Sequence, residues 1–593
     1  MRRTSPAILA AAAAAAALGA ASPARAADPL GALKAGCEAR ASADPTPVAY
    51  RICSGKVASF DGTPLDMTVT LPARRTRRAL PLVVFLHGFL NTKGEYLSQT
   101  GEGTGPDRGG DAYKTVRWNN VWFASRGYAV LNYSARGQGD SGGSIDLANR
   151  TTEIRDTHHL TGLMADDIDR RDRLARIARR RVAALGGSYG GGQTWLLLTT
   201  RGRGVRQYGT WRSPAGRGVR LAAAVPQFTW TDLLASLTPG GGPGGAPFGI
   251  GKFSIVNGLT ASANTKLPPN VVRWLARLNA GEPYDSPSDP VVPEARRALT
   301  EDRSALYQED FFRALRSRRR QRSIPVLAAQ GWTDPIFPAS EGVRMYDRLR
   351  AVRPRYPIQL YFGDFEHLTS LVKLPDLGYY HRLGNRLLDR YLLRRGKRPR
   401  FDVRSARTQC EKERFGPVTV ARSWGALASR RLAFDLSGPQ PVSSPLSDPR
   451  AAATDPVAVS TQKGRGCIVT DLPATPGVAT WTMPVEAGFE LIGAPRLELG
   501  YRALASDLQL NSRLWDVAPD GAQTLVTRGA HRVVSPPLAG GAAAYELFGN
   551  HWRFETGHRL MLEVTADDSP YLRRDNFAGT ATIDSARLVL PGR

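Results

Sequence analysis

The chain has 593 residues, enough for two domains with complete hydrophobic cores. It carries 80 Lys and Arg against 53 Asp and Glu, a formal charge of +27, with arginine concentrated in separate runs at Arg74–Arg78, Arg179–Arg181, Arg316–Arg322 and Arg394–Arg400. Nucleic-acid binding would gather such charge on one recognisable module, and no such module is present; solvated faces and attraction to an anionic cell wall remain.

Met1-Arg2-Arg3, an alanine-rich stretch and Ala24-Arg25-Ala26 predict a secretory signal peptide over residues 1–26, cleaved near Ala26. No later run is long and apolar enough to span a membrane, so the expected product is secreted, with no integral membrane association. The four cysteines, Cys37, Cys53, Cys410 and Cys467, suit an oxidising compartment and lack metal-ligand spacing. Proximity in sequence favours Cys37–Cys53 and Cys410–Cys467 but leaves the connectivity open.

Six short apolar runs read as strands buried on both faces: Leu82–Leu86, Tyr128–Asn132, Val182–Leu185, Leu221–Val225, Val326–Ala329 and Ile358–Phe362. Helical segments separate several of them, which predicts an α/β doubly wound, mostly parallel sheet. Chemistry in such sheets gathers at the carboxyl ends of the strands. The second run is followed by Gly137-Gln138-Gly139-Asp140-Ser141-Gly142, which matches a dinucleotide-binding spacing. The polar segment Ser144 to Thr157 after it offers no clear helix start for a pyrophosphate, so we read a glycine-rich loop. Gly139-Asp140-Ser141-Gly142-Gly143 also mimics a protease serine segment, but the one upstream histidine, His87, lies outside any double-barrel pattern.

The third run ends in Gly186-Gly187-Ser188-Tyr189-Gly190, and the chain then enters a helix through Trp195 to Leu198. This is the Gly-x-Ser-x-Gly nucleophile elbow, in which glycines Gly186 and Gly190 permit a turn too sharp for side chains. A serine there needs a histidine to take its proton and a carboxylate to orient that histidine. Asp334, in Gly331-Trp332-Thr333-Asp334-Pro335, and His367, in Gly363-Asp364-Phe365-Glu366-His367, follow later strand ends in the required order. Asp334 could instead cap a helix beginning at Pro335. His381 is the rival histidine, in a segment that looks helical, and Asp364 and Glu366 are local competitors for the acid. A tetrahedral intermediate needs two donors, expected from the backbone N–H groups of Tyr189 and of Phe89 in His87-Gly88-Phe89.

Between residues 228 and 322 the strand pattern stops. Val271, Trp274, Leu275 and Leu278 share one helical face, which predicts a helical cap insert. Asp232, Glu282, Asp285 and Asp289 are the acids available there for a substrate ammonium, although each reads more simply as a surface carboxylate. After about residue 400 short alternating strands begin. Leu508, Leu510, Ser512 and Leu514 share one side, as do Leu560, Leu562 and Val564, and Asp520-Gly521 makes a hairpin turn. Two packed antiparallel sheets, a jelly roll, are expected over 401–593.

Ser188-Tyr189-Gly190, Gly331-Trp332-Thr333-Asp334 and the later histidine resemble the X-Pro dipeptidyl-peptidase and cocaine-esterase group of α/β-hydrolases. Tyr133 to Gly142 is similar to that group's Arg-Gly loop, and Ile492–Leu499, Leu514–Gly521 and Gly557–Leu560 to its C-terminal β-sandwich. The resemblance covers about residues 50–593. With the signal peptide and the strand-end residues, the reading is a secreted serine hydrolase with Ser188, Asp334 and His367 as triad, an acyl-enzyme intermediate, no cofactor and no metal. It implies a small peptide or ester substrate, with an X-Pro dipeptidyl peptidase slightly favoured over a carboxylesterase or amino-acid ester hydrolase. A catalytically idle wall-binding protein is the remaining alternative. One departure stands out: the group often supplies an oxyanion donor from a tyrosine hydroxyl where Phe89 stands here.

Overall fold

The computed structural model describes residues 28–593 apart from 43–47, 99–116, 170, 242–245, 247, 264–265, 285, 287, 318–320, 368–372, 412 and 461–465. The expected signal peptide therefore lies outside the described residues.

Residues 37–421 build a twelve-stranded sheet. Its strands are β1 (Cys37–Ser42), β2 (Val48–Ala58), β3 (Pro64–Pro72), β4 (Leu80–Leu86), β5 (Ala129–Tyr133), β6 (Ile177–Gly187), β7 (Thr210–Arg212), β8 (Gly218–Gln227), β9 (Val326–Gly331), β10 (Ile358–Gly363), β11 (Val403–Ala406) and β12 (Val418–Ala421). The order is β1-β2-β3-β5-β4-β6-β8-β9-β10-β11-β12, with β7 paired to β8. All six expected strands fall in the consecutive neighbours β5-β4-β6-β8-β9-β10, and every pairing among these is parallel. The apolar runs are continuous because both faces are covered: Leu82, Val84 and Leu86 enter one core while Val83 and Phe85 enter the other. The edge strands β11 and β12 lie beyond residue 400 and still pair in this sheet.

The long connection from β8 to β9 carries helices Leu233–Leu237, Phe253–Ala263, Pro269–Ala280, Val291–Arg297 and Glu309–Arg316, the expected helical insert. Helix Pro269–Ala280 buries Val271 and Trp274 and packs Leu275 and Leu278 against the same core. Helix Glu153–Asp166 begins inside the polar segment that showed no helix start, eleven residues past Gly142 and too late to serve the glycine-rich loop.

The C-terminal part is an antiparallel all-β sandwich of seven- and five-stranded sheets. Leu508, Leu510, Leu514, Leu560, Leu562 and Val564 all enter its core, as their alternation required. Gly521 closes the Asp520-Gly521 hairpin at φ +92°, a conformation glycine adopts without strain. Disulfides join Cys37 to Cys53, which face each other across β1 and β2, and Cys410 to Cys467. Among the described residues no helix is long and apolar enough to cross a membrane.

Candidate active site

The elbow is built from close approach. β6 ends at Gly187 and the helix Ser188–Thr199 starts at the next residue. A Cβ on Gly186 or Gly190 would collide with the Leu86 carbonyl of the neighbouring strand, and one on Gly191 would lie 2.6 Å from Thr229 Cβ. Only glycine fits there, which lets β6 run straight into the helix. Ser188 itself takes φ +51°, a conformation costing a non-glycine residue of order 1–3 kcal/mol and tolerated where surrounding packing enforces it. The Thr229 hydroxyl donates to the Ser188 carbonyl at 2.6 Å and helps hold the turn.

Asp334 follows β9 and His367 follows the adjacent β10. His367 Nδ1 lies 2.7 Å from Asp334 Oδ2. The other carboxylate oxygen accepts the N–H groups of Ile336 and Phe337, each at 2.9 Å. Asp334 thus caps its own turn and holds the imidazole at once, so the helix-cap alternative and the histidine partnership coexist on different oxygens. With Nδ1–H donated to Asp334, Nε2 is left as the acceptor nitrogen. It is buried and has no hydrogen-bond partner among the described residues. Phe228, at φ +35°, presents its ring edge-on to His367 with centroids 5.3 Å apart. The same ring occupies the space where a Gly187 Cβ would stand, so Phe228 touches both the elbow and His367.

The β4 loop lies against Ser188: a Gly88 Cβ would stand 4.0 Å from Ser188 Cβ. The loop is fixed by Glu95, which accepts from Gly88 N–H at 2.6 Å and Asn91 Nδ2 at 3.0 Å. His87 Nε2 accepts the Ala135 N–H at 2.8 Å, so this histidine braces the loop. The Phe89 ring packs on the Tyr189 ring at 5.6 Å. Neither the Phe89 nor the Tyr189 N–H donates to an acceptor among the described residues. The Tyr189 hydroxyl is committed elsewhere, donating to Glu153 at 2.6 Å and accepting from Ala148 N–H at 2.7 Å. Burial pushes the Glu153 carboxyl up to about 8 against the opposing pull of that hydroxyl.

The rivals are structural. Ser141 staples its loop, donating to the Ser134 carbonyl at 2.7 Å and accepting from Asp66 N–H at 2.8 Å. His381 is fully buried, stacked on Trp118 at 4.5 Å, and desolvation drives its pKa well below the usual value. Asp364 pairs with Lys373 and accepts Gln409 N–H, while the His367 Nδ1 partner is Asp334. The insert acids depart from the surface reading. Asp232 is buried, caps helix Leu233–Leu237 and receives the Tyr307 hydroxyl at 2.8 Å. Glu282 is buried and bonded by Arg573 of the sandwich at 2.9 Å. Asp289 is bonded by Arg277, and Asp285 lies outside the described residues. These carboxylates join elements together, a role that spacing along the chain does not reveal.

A model of the X-Pro dipeptidyl-peptidase (S15 family) matches residues 61–369, a span that contains Ser188, Asp334 and His367. The chain belongs to the S15 family. A second model, the X-Pro dipeptidyl-peptidase C-terminal non-catalytic domain, matches residues 405–591. No curated protein matches the S15 chain by sequence. Among solved structures it is similar to a CocE/NonD family hydrolase from Staphylococcus aureus, 12% identical, TM-score 0.60, covering 94% of this chain and 97% of the other. An aminopeptidase from the marine sediment archaeon Thaumarchaeota archaeon is 15% identical, TM-score 0.59, covering 91% and 96%. An alpha-amino acid ester hydrolase is 16% identical, TM-score 0.56, covering 92% and 97%. These likenesses extend over both parts of the fold. The protein is a serine hydrolase, a peptidase or an esterase.

Several residues of this S15 site escaped the sequence reading. Lys252, in the insert, is buried and donates to the Ile336 carbonyl at 2.7 Å, directly behind the amide that holds Asp334. Burial lowers its pKa to about 7, against the Asp334 and Glu341 charges that raise it. Tyr571 of the sandwich donates to the Pro335 carbonyl at 2.8 Å. Glu366 is buried beside Asp334, and desolvation first, then the Asp334 and Asp364 charges, raise its pKa well above the usual range. The acid turn is thus clamped by two chain segments remote in sequence, through Lys252 of the insert and Tyr571 of the sandwich.

Proposed function

We propose that Ser188 is the nucleophile, His367 the general base and acid, and Asp334 the residue that orients His367. The observations carrying this reading are the 2.7 Å contact between His367 Nδ1 and Asp334 Oδ2, which leaves Nε2 without a partner among the described residues, and a serine held at positive φ between obligatory glycines. Ser188 Oγ attacks the substrate carbonyl as His367 Nε2 takes its proton. The Tyr189 and Phe89 N–H groups receive the oxyanion. Collapse of the tetrahedral intermediate breaks the bond to the leaving group, which departs with the proton from Nε2 and leaves an acyl ester on Ser188. Water repeats the sequence and frees the enzyme. The proposed catalytic unit spans 27–400 with its insert at about 228–322, and the proposed C-terminal unit, 401–593, lends its first two strands, β11 and β12, to the catalytic sheet before the sandwich begins.

For substrate we propose an X-Pro dipeptidyl-peptidase-like peptidase, a reading supported by the two family models in tandem. One observation favours a second reading as carboxylesterase or amino-acid ester hydrolase. Asp232, Glu282 and Asp289, three of the insert acids considered for a substrate ammonium, are engaged by Tyr307, Arg573 and Arg277 respectively. Export through a signal peptide over 1–26 is also proposed; two disulfides are compatible with it.

Hydrolysis of an Xaa-Pro arylamide, free and N-acetylated, tested beside a simple aryl ester with Ser188→Ala as control, decides between them. Cleavage of the free-amine peptide alone, lost in the variant, is the expected result. Ester turnover with both peptides untouched would make the protein an esterase.

A further inference from the structure

Three arginine runs that stand far apart in the sequence meet at one place. An open groove of about 430 Å³ is lined by Arg180 and Arg181 from the first half of β6, Arg322 just before β9, and Arg394 and Arg398 after the last helix of the sheet domain. Arg220, near the start of β8, and Arg355, just before β10, complete it. All these strand positions lie at the N-terminal ends of the parallel strands. The groove is therefore on the edge of the sheet opposite Ser188, Asp334 and His367, which follow the C-terminal ends.

The guanidinium groups of this groove have no carboxylate in ion-pair range among the described residues, and no carboxylate lines it. Arg180, Arg322, Arg355, Arg394 and Arg398 are exposed, and exposed arginines elsewhere in the chain do pair with acids, Arg502 with Asp584 and Arg587 with Asp435. Here Arg181 donates only to the carbonyls of Leu392 at 3.1 Å and Ala79 at 2.9 Å, and Arg220 to that of Arg180 at 3.5 Å. The half-buried Arg181 and Arg220 are pushed down in pKa by desolvation, and further by Arg394 in one case and by Arg322 and Arg180 in the other. Like charges are held together in a concavity, where low-dielectric walls focus the field. Guanidinium forks match phosphate oxygens bidentately, and a bilayer surface is too flat to enter a groove.

We propose that this groove binds a short polyanion carrying two or more phosphate groups, held on the far side of the sheet from the reacting serine. The two sources of that chemistry are a free polyphosphate and a phosphodiester polymer of a cell wall. Isothermal titration of the full chain with inorganic tripolyphosphate, and separately with a short poly(glycerol phosphate), distinguishes them. We expect saturable binding of at least one. It should weaken at least tenfold in Arg180→Gln/Arg322→Gln/Arg355→Gln and hold in Arg496→Gln/Arg502→Gln/Arg587→Gln, which removes the same charge from exposed sandwich positions. Ester or peptide hydrolysis should be unchanged in both variants, showing that both are folded. Saturation by neither ligand, or equal weakening in both variants, would overturn the proposal and leave only diffuse positive charge.

Discussion

His367 Nδ1 and Asp334 Oδ2 lie 2.7 Å apart, while the second Asp334 oxygen accepts two backbone amides. One carboxylate therefore fixes both the turn after β9 and the orientation of the imidazole. Asp334→Asn preserves shape but presents an amide that selects the wrong histidine tautomer. Its expected effect is a fall in kcat of about 10⁴-fold with KM little changed, as removal of an orienting carboxylate does in serine hydrolases generally. Steady-state kinetics on the best arylamide or ester read this directly. An unchanged kcat would remove Asp334 from the proposed triad.

Gly190 admits no side chain, because its Cβ would overlap the Leu86 carbonyl. The clash is with backbone on an adjacent strand, which cannot rotate away. Gly190→Ala is expected to destabilise the protein by about 3 kcal/mol or more, at or above the upper end of ordinary overpacking costs. Labelling by a fluorophosphonate should fall in parallel. Thermal unfolding of the variant beside Ser188→Ala separates the two effects, since the serine variant keeps the elbow and loses only the nucleophile.

The elbow, the six central strands and the two halves of the fold were legible because each depends on local pattern. Glycines forced by close approach recur at fixed spacing around Ser188, and strands covered on both faces must be continuously apolar. The contact between Asp334 and His367 could be anticipated because adjacent strand ends place both residues, which stand 146 and 179 residues after the proposed nucleophile Ser188. Lys252, Tyr571 and Arg573 left no such trace. Each reaches its partner through the folded interface between insert, sheet and sandwich, and a long-range hydrogen bond imposes no period on either segment. The insert acids misled for the same reason: Asp232 and Glu282 look like solvated carboxylates until Tyr307 and Arg573 are brought to them.

Phe89 supplies no hydroxyl, so the proposed oxyanion site rests on backbone. Its ring instead packs on Tyr189. Phe89→Ala keeps the N–H and should cost less than about tenfold in kcat, well short of the 10²–10³ that loss of an oxyanion donor produces. Phe89→Tyr should likewise gain little. A loss of 10²-fold or more in the alanine variant, with unfolding unchanged, would mean the side chain and not the amide serves the site.

Glu366 is buried beside Asp334, and burial holds its carboxyl protonated well above the usual range. A raised folded-state pKa contributes stability that is present below the unfolded value near 4.5 and lost as pH rises through the folded value. Glu366→Gln mimics the protonated form at every pH. Its melting temperature relative to wild type should rise with pH across the neutral range, with activity retained. A constant difference would show that Glu366 is ionised in the native protein.

Lys252 runs in the opposite direction. Burial depresses its pKa from 10.5 to about 7, so between those values the unfolded chain binds a proton that the folded chain does not. Stability therefore rises with pH across that window through this group alone. Lys252→Met fills the same space, gives up the bond to the Ile336 carbonyl and has no proton to exchange. The lost bond is a constant offset; the titration is not. Relative to wild type, Lys252→Met should be at its most stable below pH 7 and lose ground steadily toward pH 10, measured by chemical denaturation at each pH. Because the Ile336 amide holds Asp334, the variant should also lower kcat while leaving KM close to its original value. A merely space-filling role would move neither the pH slope nor kcat.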